Sequence, residues 1–196
     1  MRIEFLPAAR GGTRTVLHRA DGVVLDMTSH DRKWRTPHDL AHAVAERELS
    51  LPAGVFGCIA AGALFDSMRV VSGTPRHDAA ARSERILKAY GHDLTLAEVL
   101  AGVVHELAEH PTPTDPTAAA REAWGVVAQI PFPYVDKQVE RAVDALRDLT
   151  DEWRLLLPDQ PLDFTWPERL TAEVPAAPRH RETRSSRRSH AHRRNA

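Results

Sequence analysis

Apolar and polar positions alternate along residues 1–28, as they do in β-strands that bury one face. Ile3 and Phe5 begin the pattern, and Asp21-Gly22 separates two later apolar runs. An Asp-Gly pair between apolar runs favours a tight hairpin turn, so the pattern predicts two or three antiparallel strands. Because so few strands are not stable alone, we expect one face of them to pack on the helices that follow.

The apolar spacing changes to that of a helix at Thr36. This residue is predicted to cap the helix, with Pro37 at the first helical position and Asp39 three residues after the cap, where a carboxylate stabilises a helix start. At about 100° per residue, the apolar side chains fill one arc of the helix. His38 and His42 lie at the edge of that arc and are predicted to be boundary residues.

Several further elements are predicted before residue 131. An uncharged run at 53–65 contains several glycines and predicts a tightly packed central element. A helix is predicted over 79–90, and another from Thr95, where Thr95 and Glu98 match a capping box. A proline-rich connector then precedes a helix predicted over 116–130.

The most regular pattern begins at Val135. Its apolar residues recur at alternating spacings of four and three as far as Leu156, which predicts a long amphipathic helix over 135–157. This helix either forms a helical hairpin with residues 116–130 or supplies a homodimer seam. The hairpin is favoured, because the core of a small protein needs that apolar face.

The expected fold class is therefore α+β. A short N-terminal antiparallel β-hairpin or meander (strands within 1–28) is predicted to pack on a predominantly helical domain (helices from 36 to 157) with a long C-terminal amphipathic helix. With 196 residues and 42% hydrophobic content, the chain can bury one core. We expect a single domain at 1–172 and a disordered basic tail at 173–196.

Charge and cysteine content narrow the function classes. Seven arginines and one glutamate give residues 179–196 a charge of +6, so the formal net charge of −1 leaves −7 for residues 1–178. The favoured interpretation of this segment is a solvated terminus, because the acidic body opposes binding to a polyanion. The alternative is weak, non-specific polyanion binding by 179–196. The single cysteine, Cys58, excludes an internal disulfide framework. Without a signal-peptide or membrane-spanning pattern, we expect a cytoplasmic protein with no membrane contact.

The candidate chemistry lies on the helix after Thr36. His38 and His42 are four residues apart, about 6 Å along a helix axis, so both imidazoles can reach one divalent metal ion, most simply zinc. Asp39 follows the first histidine, where zinc metalloproteases of the His-Glu-x-x-His type carry their catalytic glutamate. Asp39 is therefore either a catalytic residue one methylene shorter or a helix-capping residue. Glu46 is too far from His38 to share an ion and is predicted to orient His42 from behind.

A metal centre needs a third protein ligand. On the helix from Thr95, His105 and Glu109 are predicted to face solvent, and His110 is predicted to complement the helix dipole. The sequence does not rank the remaining candidates, which are His18, His30 and Glu106.

The run from Pro37 to Glu46 followed by Gly54-Val55-Phe56-Gly57, with short strands in front of it, resembles a group of small bacterial proteins, chiefly actinobacterial, that share a Pro-His-Asp-Leu-x-His motif. The likeness covers about residues 1–65. No activity is established for that group, so the resemblance implies no function.

Two hypotheses follow from the sequence. The first is a metal-dependent hydrolase with zinc or another divalent metal on His38 and His42, Asp39 as the catalytic residue and Glu46 behind His42. The alternative is a non-enzymatic interaction or regulatory module, which would use the helix at 135–157, with a homodimer as one form, and the basic tail at 179–196.

Overall fold

The computed structural model describes residues 1–8, 12–29, 34–110 and 115–177. Within these ranges the strands are β1 (Arg2–Ala8), β2 (Gly12–His18), β3 (Val24–Ser29), β4 (Met68–Ser72) and β5 (Leu162–Thr165). The helices are α1 (His38–Glu48), α2 (Val55–Ala61), α3 (Ala79–Ala89), α4 (Gly91–Glu109), α5 (Pro116–Val127) and α6 (Asp136–Arg154), and a short 3-10 turn follows at Glu168–Leu170. The α+β class is confirmed.

The strands form one antiparallel sheet in the order β4-β3-β2-β1-β5. The predicted meander is its centre, and the turn between β2 and β3 contains Gly22 with φ of 82°. The two or three antiparallel strands predicted within residues 1–28 are confirmed as β1, β2 and β3, while β4 and β5, which were not predicted, extend this meander at both edges. β4 lacks the alternation of a half-buried strand, since residues 69–72 are all exposed.

Helix α1 lies at the centre of the core. Its residues from Leu40 to Glu46 are all buried, and it packs against α4 and α6 as well as contributing to the apolar cluster that includes the sheet residues Ile3 and Phe5. His42 is 4% exposed. The prediction that His42 is a boundary residue is therefore wrong, because a second layer of helices covers the polar side of α1.

Two predicted helix starts are also wrong. α1 begins at His38 after Pro37, and the Thr36 hydroxyl lies 2.7 Å from the Thr150 hydroxyl instead of capping the helix. α4 begins at Gly91, so Thr95 lies inside it and donates a hydrogen bond to the Gly91 carbonyl at 3.0 Å. The carboxylate of Glu98 is consequently not engaged in a capping box.

The apolar stripe of α6 faces the interior of the chain. Val139 and Leu146 are 0% exposed, and α6 packs against α1, α4 and α5. Val135, the first residue of the predicted stripe, and Leu155 and Leu157, which flank its last residue, remain 63%, 82% and 69% exposed. A homodimer through 135–157 stays a prediction. After α6 the chain returns to the sheet as β5, so α6 is not its last element.

The last described residues run beside α3. The Tyr90 hydroxyl donates to the Glu173 carbonyl at 2.9 Å, and the Arg85 guanidinium donates to the Pro175 carbonyl at 3.3 Å. The domain boundary at 172 and the disorder of the tail stay predictions, and the basic segment at 179–196 lies outside the described residues. Among the described helices, none combines the length and apolar character needed to cross a bilayer.

Candidate metal centre

Two helices bring three metal-ligating side chains together. His38 and His42 project from α1, and Glu98 projects from α4. The Nε2 atom of His42 lies 3.0 Å from one carboxylate oxygen of Glu98, and the Nε2 atom of His38 lies 3.7 Å from the other. One ligand atom from each residue lies within 4.8 Å of the other two. A tetrahedral zinc site, with bonds of about 2.0–2.2 Å, holds its ligand atoms about 3.3–3.6 Å apart, so small side-chain movements would complete it.

The helix geometry explains the cluster. The four-residue spacing places the two imidazoles on one face of α1, with ring centroids 4.7 Å apart and planes at 70°. α4 runs antiparallel to α1, since Glu98 meets His42 while Glu109 accepts a hydrogen bond from the Thr36 N–H at 2.6 Å. This packing of α4 on α1 supplies the third side chain.

Glu46 lies behind His42 and is 0% exposed. Its Oε1 atom lies 3.3 Å from Nδ1 of His42 and accepts a hydrogen bond from the Val55 N–H at 2.8 Å, and its Oε2 atom accepts one from the Phe56 N–H at 2.9 Å. The carboxylate therefore connects α1, the first turn of α2 and the histidine. Gly54 leaves the space that the Glu46 carboxylate occupies, because a Cβ added at Gly54 would lie 2.4 Å from Cδ of Glu46.

The two carboxylates control the protonation of His42. Burial disfavours the charged imidazolium, but hydrogen bonds to Glu46 and Glu98 outweigh this effect and raise the pKa of His42 to about 9. The hydrogen bond with His42 in turn lowers the pKa of Glu98 below its ordinary value. At neutral pH the His42 imidazolium of the metal-free protein therefore carries a proton on each ring nitrogen. A divalent cation would replace the proton on Nε2, the nitrogen that faces Glu98.

Asp39 lies next to the histidines, in the first turn of α1. Its carboxylate accepts a hydrogen bond from the Thr15 hydroxyl at 3.0 Å. The Thr36 N–H, which a capping box would pair with Asp39, donates to Glu109 instead, so the predicted capping box is absent, whereas the charge does lie in the first turn, where it favours the helix start. Burial raises the pKa of Asp39, and the Thr15 hydrogen bond only partly opposes this shift. A carboxylate with a raised pKa is a stronger base, which suits the catalytic role predicted for it.

These side chains line one wall of a cavity of about 250 Å³. The polar residues of the lining are His38, Asp39, His42, Glu98 and Ser67. The remaining lining residues are apolar: Met27, Val55, Phe56, Phe65 and Met68. The cavity therefore brings together a group of side chains that could hold a metal ion, a carboxylate with a raised pKa and an apolar surface.

Most of the candidate third ligands lie elsewhere. His18 lies 3.4 Å from Glu4, and the exposed His110 lies 3.2 Å from Glu106. Glu109 is 5% exposed and accepts hydrogen bonds from Arg35 and Thr36, so its prediction as a solvent-facing residue is wrong. His30 lies outside the described residues. Glu98, the third side chain that could hold an ion with His38 and His42, was missed because its spacing from Thr95 matches a capping box.

His105 is buried rather than solvent-facing, at 1% exposure. Its ring packs 4.6 Å from the Trp34 ring and 6.1 Å from the His38 ring, measured between centroids. Its Nε2 atom has no hydrogen-bond partner among the described residues. Burial lowers the pKa of His105 to about 4, so the ring is neutral at physiological pH.

Comparison with known proteins identifies no relative: no family model, no curated protein and no solved structure matches the chain. The resemblance to small actinobacterial proteins stays a prediction. A proposal about function therefore rests on the geometry of the described residues.

Proposed function

We propose that this protein is a metal-dependent hydrolase that binds one divalent ion, zinc by preference, through His38, His42 and Glu98. The observation that carries the proposal is the convergence of three ligand atoms from two helices on the wall of a cavity. Two histidines and one glutamate are the donor set of several hydrolytic zinc sites, in which a fourth position remains open to water or substrate.

Glu46 supports the metal-binding role of His42. Metal-ligating histidines usually donate their second ring N–H to a carboxylate or carbonyl, which fixes the ring and increases its basicity. Nδ1 of His42 has this partner in Glu46, and the opposite nitrogen, Nε2, points to Glu98. The buried carboxylate thus prepares the histidine to bind a cation through Nε2.

Asp39 supplies the base that hydrolysis requires. A zinc ion lowers the pKa of a coordinated water to about 7, and a nearby carboxylate can accept the proton that the attacking water releases. Asp39 lines the same cavity as the three ligands, and Thr15 holds its carboxylate. The side chain is one methylene shorter than the glutamate of zinc proteases, but it is held close to both histidines by the sheet.

Isothermal titration of zinc into the untagged, chelator-treated protein tests the metal site. The proposal predicts one zinc per chain, and loss of binding in a His38→Ala/His42→Ala variant. His92→Ala is the matched control, because His92 is an exposed histidine in the first turn of α4 and should leave binding unchanged. Equal binding by the double variant, or none by the wild type, would contradict the proposal.

A further inference from the structure

The ring of His105 is anchored through one of its two nitrogens. His105 lies two turns after Glu98 on α4, along the same face of the helix, and α4 packs on α1. Burial lowers the pKa of His105, and a hydrogen bond with the Thr36 backbone opposes this shift. A bond that favours the protonated ring is donated by a ring N–H to a carbonyl. Because Nε2 has no partner among the described residues, Nδ1 is the donor of this bond.

The second nitrogen of His105, Nε2, is a buried acceptor without a donor among the described residues. A neutral imidazole that carries its proton on Nδ1 presents a lone pair on Nε2. His105 is 1% exposed, and the Trp34 ring packs on it with 4.6 Å between centroids. Buried polar atoms in native proteins nearly always have a hydrogen-bond partner, and an exception often belongs to a functional site. The position of His105 beside the candidate metal centre therefore favours a functional role for Nε2.

His38 is the neighbour that can donate to this nitrogen. The charged side chains that act on His105 are His38, Glu109 and His42. The carboxylate of Glu109 is an acceptor, as Nε2 itself is, and both ring nitrogens of His42 already face carboxylates. The Nε2 atom of His38 faces Glu98, so the Nδ1 atom of His38 is the donor that remains.

The rings of His38 and His105 are close enough to form this bond after a small movement. Their centroids lie 6.1 Å apart and their planes are at 40°. Two imidazoles joined by an N–H···N bond of about 2.9 Å have centroids about 5 Å apart, so an approach of about 1 Å is needed. The side chain of His38 is 36% exposed and has room to rotate. Its distance of 3.7 Å from Glu98 requires an adjustment of similar size before both residues bind one ion.

We propose that His105 positions His38 for metal binding by accepting, at its Nε2 atom, a hydrogen bond from the Nδ1–H of His38. This inference rests on the proposed function. A metal-ligating histidine usually donates its second ring N–H to a fixed acceptor, which sets the tautomer and the orientation of the ring. His38 then presents its Nε2 lone pair to the ion. Each of the two histidine ligands thus has its own buried partner, Glu46 for His42 and His105 for His38.

The variants His105→Asn and His105→Gln separate the functions of the two nitrogens. The asparagine amide can donate to Thr36 from the position of Nδ1 but does not extend to the position of Nε2, where glutamine can place its carbonyl oxygen. Zinc affinity should therefore fall about 10–100-fold in His105→Asn and largely persist in His105→Gln, as measured by competition with a chromophoric chelator. His110→Ala is the matched control, because His110 also packs on Trp34 but is exposed at the end of α4, and it should leave the affinity unchanged.

Nitrogen NMR of the zinc-loaded wild-type chain, isotopically labelled at histidine, tests the hydrogen bond without a variant. A hydrogen bond between two nitrogens transmits a scalar coupling between them. The spectrum should therefore show a coupling between Nδ1 of His38 and Nε2 of His105. A histidine that only fills space beside Trp34, or one that binds the ion itself, would give no such coupling.

The outcomes separate this inference from the proposed function. If the wild type binds zinc but the coupling is absent, or His105→Asn binds zinc as tightly as the wild type, the role of His105 is overturned and the metal centre stands. If both His105 variants lose their fold, the coupling in the wild type decides alone. A wild-type chain that binds no zinc would overturn the proposed function and this inference with it.

Discussion

The carboxylate of Glu98 on α4 lies 3.0 Å from Nε2 of His42 on α1, and the carboxylate of Glu46 lies 3.3 Å from Nδ1 of the same ring. The two carboxylates differ in exposure: the side chain of Glu46 is 0% exposed and that of Glu98 is 60% exposed. Glu46 is therefore fixed by the core, while Glu98 can move to accommodate an ion. This asymmetry separates the carboxylate that orients His42 from the one that would bind the proposed metal ion.

Replacement of Glu98 tests the third ligand. Glu98→Gln keeps the size of the side chain but removes its charge. Replacing a residue that only hydrogen-bonds to a metal ligand lowers metal affinity roughly 10–100-fold, so the loss of a ligand at Glu98 should lower zinc affinity by more than this. Competition with a chromophoric chelator measures the change. Glu106→Gln, a change of another exposed glutamate on α4, should leave the affinity unaltered. Equal affinities in both variants would show that Glu98 is not a ligand.

Glu46 should contribute to both stability and metal affinity. In Glu46→Gln, the amide oxygen can keep one of the bonds from the Val55 and Phe56 N–H groups, but the NH2 group faces the other N–H, which should cost about 1–3 kcal/mol in the free energy of unfolding. Zinc affinity should fall about 10–100-fold. Urea unfolding and zinc titration measure the two effects. Glu48→Gln, in a surface pair with Arg47, should change stability by less than about 0.5 kcal/mol.

Sequence patterns predicted the helices better than the contacts between them. The apolar period predicted the region of α6, glycine and proline positions helped to delimit those of α3 and α5, and the spacing of His38 and His42 indicated a metal site. Local sequence patterns did not predict which residues contact these histidines, because the run from Thr95 to Glu98 matches a helix start equally well. His105 was misplaced for a related reason. It lies outside the apolar stripe of its own helix, but the chain around Trp34 covers it.

The two added edge strands show a second limit. β4 is exposed on both faces, so it carries no alternation that predicts a strand. β5 is only four residues long and pairs with β1 from the far end of the sequence. Pairing of this kind depends on tertiary context more than on intrinsic propensity.

Gly54 should be required for the position of Glu46. An alanine Cβ at Gly54 would lie 2.4 Å from Cδ of Glu46, so Gly54→Ala should displace the carboxylate and lower the stability by about 1–3 kcal/mol, together with zinc affinity. Gly102→Ala is the control, and it should change the stability of the fold in the opposite direction. No heavy atom lies within 4 Å of the added Cβ among the described residues outside its own helix backbone, and alanine should stabilise α4 by about 0.5–1 kcal/mol. Thermal unfolding distinguishes the two, and equal shifts would refute the close contact.

Glu109 predicts how stability changes in acid. Its burial opposes ionisation, but hydrogen bonds from Arg35 and Thr36 outweigh burial, and the pKa of Glu109 lies below its ordinary value. A depressed pKa contributes stability above the unfolded glutamate pKa of about 4.3, and this contribution is lost as pH falls through the folded pKa. Glu109→Gln should therefore be less stable than wild type at pH 7 and show a smaller loss on acidification. Urea unfolding across this range is the measurement, and parallel pH profiles would contradict it.

Asp39 should be needed for hydrolysis but not for metal binding. Asp39→Asn keeps the hydrogen bond from Thr15 within reach but removes the base, so kcat for hydrolysis should fall about 100–10,000-fold. Zinc content should stay at one per chain. Loss of zinc in this variant would place Asp39 among the ligands, and full activity would exclude it as the base.

The metal content of untagged protein, purified without chelators, tests the central claim most directly. Elemental analysis should find close to one zinc or other divalent ion per chain in the wild type and in His92→Ala, and none in His38→Ala/His42→Ala. Wild-type protein that contains no metal and also fails to take up added zinc would contradict the account.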